Sequence, residues 1–537
     1  MFIVIIGRRA KALCWGATVV SRRVSPRGLA IYGTVIVAIV AGGLISGMST
    51  VAIACLLIFA TSIYLIASEI FIRSTAALLG ALLVFIVFLL EGSHTPVEIA
   101  HHYIEMNTIL TLFGIIIVAS LGLKSGLFYF LGMKVAKASR GDPLMLYVIL
   151  AIFTFVLNIF LIAVATIVVV VSLTLAICDI LKIDPRPYVI MEIFVVNVAA
   201  SATMISAVPN IIVAEKANLS FSFFVINILP FTALFFVVSI WMLFRTFHPP
   251  TVVDPRRAMA ILEIDEWLFV KNRGEFYASA VSICGLIVGF IASRELMVVS
   301  LLFATIALAL YSKPEELIRD VDWDTLLFFI GFYVIIAGLS ITGVLTEIAD
   351  VLVEISRGNP YILVTLLFWI SIFVSGFVDN IPYVLVIIPI IEILISEGGF
   401  SEYAGVLWIT LILACNIGGG LNPYSAPQNL LAMSLAKRAR YPIMSKDFYR
   451  VSVKWTICGG VLAYAYAMML MSAPIIMFLI GRTTFLLLIM ITICAGTVVG
   501  IHRTIGLRRF ARYIRLFVER ASSSAKRYGR SVIRRAR

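Results

Sequence analysis

The segment Ser375-Gly-Phe-Val-Asp379-Asn380-Ile-Pro382 sets a hydroxyl, an acid, an amide and a proline close together inside an otherwise apolar run. An ionisable side chain in hydrocarbon is costly enough to mark function by default. Asp379 offers a hard anionic oxygen suited to Na⁺ or to carrying a proton. Ser375 and Asn380 add neutral oxygens, and Pro382 breaks the helix so that backbone carbonyls are free to coordinate. Irregular backbone at such depth is tolerated where it is buried or lines a cavity. The plainer role for Asp379 is to cap the helix that follows.

Two asparagine-rich segments, 197–210 and 416–429, form a second class of candidate. Gly418-Gly419-Gly420, Pro423 and Pro427 argue against a continuous helix through the second, and Pro209 does so through the first. Broken spans put half-helix ends at mid-membrane, where N-terminal ends attract anions and free carbonyls attract cations. Asn197, Thr203, Asn210, Asn416, Asn422 and Asn429 would line that site, the plainer role for each being an interhelical hydrogen bond. Glu192 and Glu392 are candidate proton relays or snorkelling acids. His101-His102 lacks further ligands, so no metal is expected there, and Lys124 falls deep in a span without an evident partner. No G-x-x-x-x-G-K-[ST] loop appears, so ATP drive within this chain is not expected, and an external ATPase subunit stays open as a partner.

The elements that must carry these residues follow from composition. The chain has 537 residues, 62% hydrophobic and 13% charged, with a mean hydropathy of +1.08. Soluble domains carry about 25% charged residues, so a soluble enzyme is excluded and lipid must solvate much of this surface. Seven cysteines without a C-x-x-C pair read as small hydrophobes. The first residues lack the arrangement of a cleaved signal peptide. Residues 503–537 hold twelve Lys or Arg against Glu519, and residues 1–27 hold six with no acid. Basic ends of a membrane protein mark cytoplasmic segments touching anionic lipid, rather than nucleic-acid binding.

Spans are expected at about 30–48, 50–67, 75–91, 107–131, 189–213, 222–244, 276–292, 296–311, 323–346, 404–434, 452–471 and 474–500. The stretches 143–178 and 361–396 are too long for one crossing and lack a polar loop for two. Lys134, Lys137 and Arg140, then Arg245 to Arg273, then Lys437 to Arg450 mark inner loops, while Glu91, Glu98 and Glu105 mark an outer one. The count closes when both long stretches are re-entrant hairpins, one open to each face. Both termini are then cytoplasmic and the plasma membrane is the expected location. The fold expected is an all-α polytopic membrane protein with about 12 spans and two re-entrant hairpins.

The halves match at an offset of 217: N-T-I-L-T-L-F-G at 107–114 lies on D-T-L-L-F-F-I-G at 324–331, and R-G-D-P at 140–143 on R-G-N-P at 357–360. At an offset of 219, Asn197, Ser206, Ala207 and Asn210 fall on Asn416, Ser425, Ala426 and Asn429. Span 107–131 runs inward and 323–346 outward, so the repeat is inverted, an arrangement common among secondary transporters. The units are a basic N-terminus with two spans (1–74), a first repeat (75–244), a linker with one span (245–295), a second repeat (296–471), a C-terminal span (472–502) and a basic amphipathic tail (503–537). I-L-E-I-D-E-W-L in the linker suggests a short amphipathic helix.

A D-N-x-P hairpin followed by N-I-G-G and a terminal P-x-N segment, duplicated with inversion, resembles the ion transporter superfamily. The likeness is to its branch of arsenite permeases, NhaD-type sodium–proton antiporters, the pink-eyed-dilution protein and citrate-transporter-like permeases, over roughly 75–471. The resemblance implies a site formed by hairpin tips and broken spans, carried by a portion that moves against a scaffold. It implicates Ser375, Asp379 and Asn380, with Asn197, Thr203, Pro209, Asn210, Asn416, Gly418, Gly419 and Asn429. Departures are evident: Asp379-Asn380 falls on Ile162-Ala163, Asn158 replaces Ser375, and N-V-A-A-S-A-T stands where the family has N-I-G-G-T-A-T. One coupling ion, or a proton on Asp379, is easier to defend than two cations.

The expected function is a secondary active transporter moving a small ion by alternating access, coupled to Na⁺ or H⁺, with no other cofactor. A cation antiporter and an anion permease are both open, with the single buried Asp379 slightly favouring a bound cation; a citrate- or dicarboxylate-type anion symporter is the alternative, and a homodimer is compatible. A channel would need a continuous polar path that hairpins entering from opposite faces would block. A membrane enzyme would need a clustered catalytic set, such as H-E-x-x-H, that the sequence lacks.

Overall fold

The structure is a computed structural model that describes residues 26–68, 71–247, 253 and 255–480. After α1 (Pro26–Ile45), helices α2 (Thr50–Ala67) and α3 (Arg73–Glu91) lead through the short α4 (Pro96–Tyr103) into α5 (Met106–Lys124) and α6 (Leu127–Lys137). A hairpin of α7 (Pro143–Phe160) and α8 (Ala163–Leu181) follows, then a broken span, α9 (Arg186–Ala199) and α10 (Val208–Lys216). The half closes with α11 (Phe221–Asn227) and α12 (Leu229–Phe247). The linker holds α13 (Pro255–Glu263) and a 3₁₀ turn at Glu266–Phe269. The second half contains α14 (Arg273–Ala292), α15 (Leu296–Leu310), the short α16 (Pro314–Arg319), α17 (Trp323–Ile341) and α18 (Val344–Ser356). It continues with the hairpin α19 (Pro360–Phe377) and α20 (Asn380–Ser396), the broken span α21 (Ala404–Gly418) and α22 (Pro427–Arg438), and α23 (Ser445–Ile480). Among the described residues, eleven helical segments are long and apolar enough to cross a membrane, three of them hairpin arms, and there is no strand.

The repeat in the sequence is a repeat in backbone geometry. Gly126 and Gly343 sit at φ +82° and +78°, where a side chain would be strained, and they turn the chain from α5 into α6 and from α17 into α18. In the R-G-[DN]-P turns Arg140 and Arg357 adopt φ 54° and 53°. Asp142 and Asn359 then cap helices that begin with proline, accepting from the amides of Met145 and Tyr361. Packing repeats too. α5 lies against α15 and α17 against α3, with Gly114 and Gly331 at the crossings. A Cβ at Gly114 would stand 2.6 Å from the carbonyl carbon of Ser300, and one at Gly331 2.6 Å from that of Ala77. Backbone cannot yield as a side chain tip can. Gly331→Val should therefore cost about 1–3 kcal/mol by overpacking, read as a lower thermal midpoint in detergent. An unchanged midpoint would mean that this crossing is loose.

The ends of these helices establish the inversion. Asp324, at the start of α17, accepts from the Ser74 amide at the start of α3, so α3 and α17 run parallel. Lys124, at the end of α5, pairs with Asp320 at 2.9 Å, just before α17 begins, so α5 and α17 run antiparallel. Lys124 is therefore not deep in a span. The helix expected over 107–131 ends at Lys124 because of the turn at Gly126, and Asp320 and Glu316 (3.4 Å) meet the ammonium group there.

Further expectations change. The break anticipated between spans 452–471 and 474–500 does not occur: α23 continues as one helix to Ile480. Residues 481–537, including most of that last span and the tail, lie outside the described residues, as do residues 1–25. Pro382 does not break a helix either. It lies in the first turn of α20, where its missing N–H has no intrahelical partner to lose. The interruption is the pair Val378-Asp379 just before it. The helix suggested by I-L-E-I-D-E-W-L is interrupted at Ile264-Asp265: α13 ends at Glu263, and Asp265 caps the 3₁₀ turn that follows by accepting from the Trp267 amide. Trp267 packs on Phe130, and Lys137 bonds to Glu266, holding that carboxyl below its usual range.

Candidate functional site

Each long apolar stretch is a helical hairpin with a two-residue tip, Leu161-Ile162 in the first and Val378-Asp379 in the second. The arms are 17 to 19 residues long, about 27 Å at 1.5 Å per residue. They therefore reach most of the way across a hydrocarbon core of about 30 Å. Each tip rests on the unwound stretch of its own repeat. In the first, Asn158 Nδ2 donates to the Ser206 carbonyl at 3.1 Å, Thr203 Oγ1 to the Ile159 carbonyl at 2.8 Å, and the Ala163 amide to the Ser206 carbonyl at 3.1 Å. In the second, Ser375 Oγ lies 2.6 Å from Asn380 Oδ1 and donates to the Cys415 carbonyl at 3.0 Å. Gly418 and Gly419 make that contact feasible, and Gly420 admits Trp455 of α23. A Cβ at Gly418 would meet the Ile372 carbonyl oxygen at 2.7 Å, one at Gly419 the Asn380 amide at 2.6 Å, and one at Gly420 the Trp455 ring at 2.2 Å.

The two unwound stretches are built alike. Ser206 Oγ lies within hydrogen-bond reach of the carbonyls of Ala200 and Thr203, and Ser425 Oγ of those of Gly419 and Asn422, each hydroxyl donating to one of its pair. Asn210 Nδ2 reaches the same pair of carbonyls in its repeat, at 2.7 Å each, and Asn429 Nδ2 does so in the other, at 2.9 and 3.3 Å. The repeats then cross. Asn197 Nδ2 donates to Asn429 Oδ1 at 2.8 Å, and Asn416 Nδ2 donates to Asn210 Oδ1 at 3.0 Å. All four side chains are buried. Asn197 stands about 17 Å along α9 and Asn416 about 18 Å along α21, which run in from opposite ends. Four polar amides thus meet at mid-depth on a pseudo-two-fold axis, with the N-termini of α10 and α22 beginning beside them.

The structure separates the remaining candidates. Asp379 does not join the asparagine cluster. Its Oδ1 caps α20 by accepting from the Ile381 amide at 3.1 Å, and its Oδ2 takes Arg73 Nη1 at 2.6 Å. Arg73 opens α3, so the second hairpin tip is joined across the fold to the start of that helix. Asn422 turns away from the cluster to accept from Tyr449 Oη at 3.0 Å. Pro209 and Pro427 start α10 and α22, while Pro423 lies in the second break. Glu392 is half-buried on α20, and Glu192 is wholly buried on α9, bonded to Thr174. His101 and His102 stack edge-on, and the described residues hold no cluster of three metal-ligating side chains.

Two participants escaped sequence reasoning. Gln428 donates to Asn197 Oδ1 at 3.2 Å, and its place in the P-x-N segment was the available signal. Arg73 lies just before the span expected at 75–91, and nothing local ties it to a residue 306 positions away.

An inverted duplication, with two hairpin tips seated on two broken helices around a buried polar centre, defines a membrane transporter. The citrate transporter family model (CitMHS) matches residues 63–412, and the chain belongs to that family. It is 30% identical over 426 residues to a 46 kDa membrane protein of Mycobacterium leprae, covering 78% of this chain and 98% of that one. It is 29% identical over 424 residues to an uncharacterised transporter of Mycobacterium tuberculosis, with the same coverage. Among solved structures, the YdaH transporter of Alcanivorax borkumensis aligns with a TM-score of 0.44 and 11% identity, over 69% of this chain and 86% of that one.

Proposed function

We propose that this protein is a secondary active transporter that moves a small carboxylate-class anion by alternating access, coupled to H⁺ or Na⁺. The reading rests on the N-termini of α10 and α22, which the crossed pairs Asn197–Asn429 and Asn416–Asn210 hold between the repeats. Helix N-termini favour negative charge. A cation antiporter centred on Asp379 is less supported, since Arg73 already neutralises that carboxylate. Uptake into proteoliposomes of citrate, arsenite and Na⁺, each with and without proton or sodium gradients, tests both. Gradient-driven citrate accumulation supports the reading. Passive flux of any of them that no gradient can drive uphill would make the protein a channel.

The membrane is proposed to be the plasma membrane, with both termini cytoplasmic and their basic segments against anionic lipid. A cysteine at Asn359, exposed in the α18–α19 turn, should label from outside, and one at Ala138, exposed after α6, from inside. Gly141 is unsuited as a reporter because a Cβ there would meet Ala258 at 2.5 Å. Labelling of both positions from one face would overturn this orientation.

A further inference from the structure

Glu192 is completely buried midway along α9, and the asparagine cluster does not use it. Thr174 Oγ1 on α8 donates to its Oε1. Its Oε2 is buried with no hydrogen-bond partner among the described residues, and so is the hydroxyl of Tyr147 on α7, a helix that packs against α9. These groups come from the two arms of the first hairpin and from the broken span that its tip rests on.

The fold does not need an acid there. At the corresponding positions of the second repeat stand Val364, Ile391 and Leu411, all fully buried. The same architecture is thus built once in hydrocarbon and once around a carboxyl, two hydroxyls and an unused oxygen. An unsatisfied buried polar atom is costly, and in a membrane protein an ionisable group placed so marks function.

We propose that Glu192, flanked by Thr174 and Tyr147, is a proton-binding site, and that it carries the proton whose movement drives transport. This rests on the coupled-transport reading and names its coupling ion. A proton needs a single carboxyl oxygen, and the buried, unpartnered Oε2 of Glu192 supplies one. On the helices packed against α9, the other titratable groups are Cys178 and Asp179 on α8, Arg245 on α12, Cys415 on α21, and Lys437 and Arg438 on α22, Asp179 being exposed and paired with Lys182. Of these, the three cations stand in the last turn of their helices or close to it.

Infrared difference spectra of the full chain in lipid nanodiscs, recorded across pH jumps, test the site without any substrate. A protonated-carboxyl band that changes reversibly with pH and is missing in Glu192→Gln is expected. A Glu192 band indifferent to pH would overturn the proposal, because the acid would then be sealed. Thr174→Val and Tyr147→Phe keep the carboxyl and should each shift the pH at which the band changes. No shift in either would remove these hydroxyls from the site. In proteoliposomes, the ratio of citrate uptake with and without an inward proton gradient should fall at least about tenfold in Glu192→Gln, and an unchanged ratio would overturn the proposal. If wild-type protein takes up no citrate, the functional reading fails while the spectra still decide the site.

Discussion

Replacing Asn197 with alanine should abolish gradient-driven uptake. The side chain donates to Asn429 and accepts from Gln428, and its loss strands both partners in a dry interior. Each buried group left unsatisfied costs about 1–3 kcal/mol, enough to loosen the joint between repeats on which any shared site depends. Asn416→Ala should behave similarly, because it strands Asn210 in the mirrored position. A double-mutant cycle on Asn197 and Asn429 should show a coupling energy of about 0.5–3 kcal/mol in thermal or denaturant stability. Additive losses, together with wild-type uptake in either single variant, would show that the crossed pairs are packing details.

Asp379→Asn should lower uptake by at least about tenfold with a modest loss of stability. The pair with Arg73 is partly open, the side chains being 37% and 13% exposed, so its worth is nearer an exposed pair, about 1 kcal/mol, than a sealed one. The exchanged variant Asp379→Arg with Arg73→Asp separates two roles. If the tip needs a carboxylate at 379 for transport, the exchange recovers the thermal midpoint and leaves uptake low. Recovery of both would make the ion pair a clasp whose polarity is irrelevant.

Much of this architecture could be read from the chain because lipid imposes strict rules on it. Apolar length gives spans, the 36-residue stretches could only be hairpins, and the register of R-G-[DN]-P and the asparagines gives the repeat. The pairing of Asn197 with Asn429 and of Asn416 with Asn210 was implicit in that register, since residues related by an axis must meet partners related by the same axis. Depth was harder. Lys124 was misplaced because one left-handed glycine ends a helix that hydropathy would continue. Arg73 could not be found at all: an ion pair across 306 residues leaves no trace in local spacing.

The clasp between Arg73 and Asp379 has no twin. At the corresponding points of the other half stand Leu296 and Ile162, which carry no charge to exchange. In a perfectly duplicated transporter, the inward- and outward-open forms would have equal energy, each half taking the other's conformation in turn. A single clasp worth about 1 kcal/mol weights one form about fivefold over the other at rest. The unloaded protein should therefore idle with its site turned toward one compartment, and the same substrate should show different half-saturation concentrations when offered from the two sides.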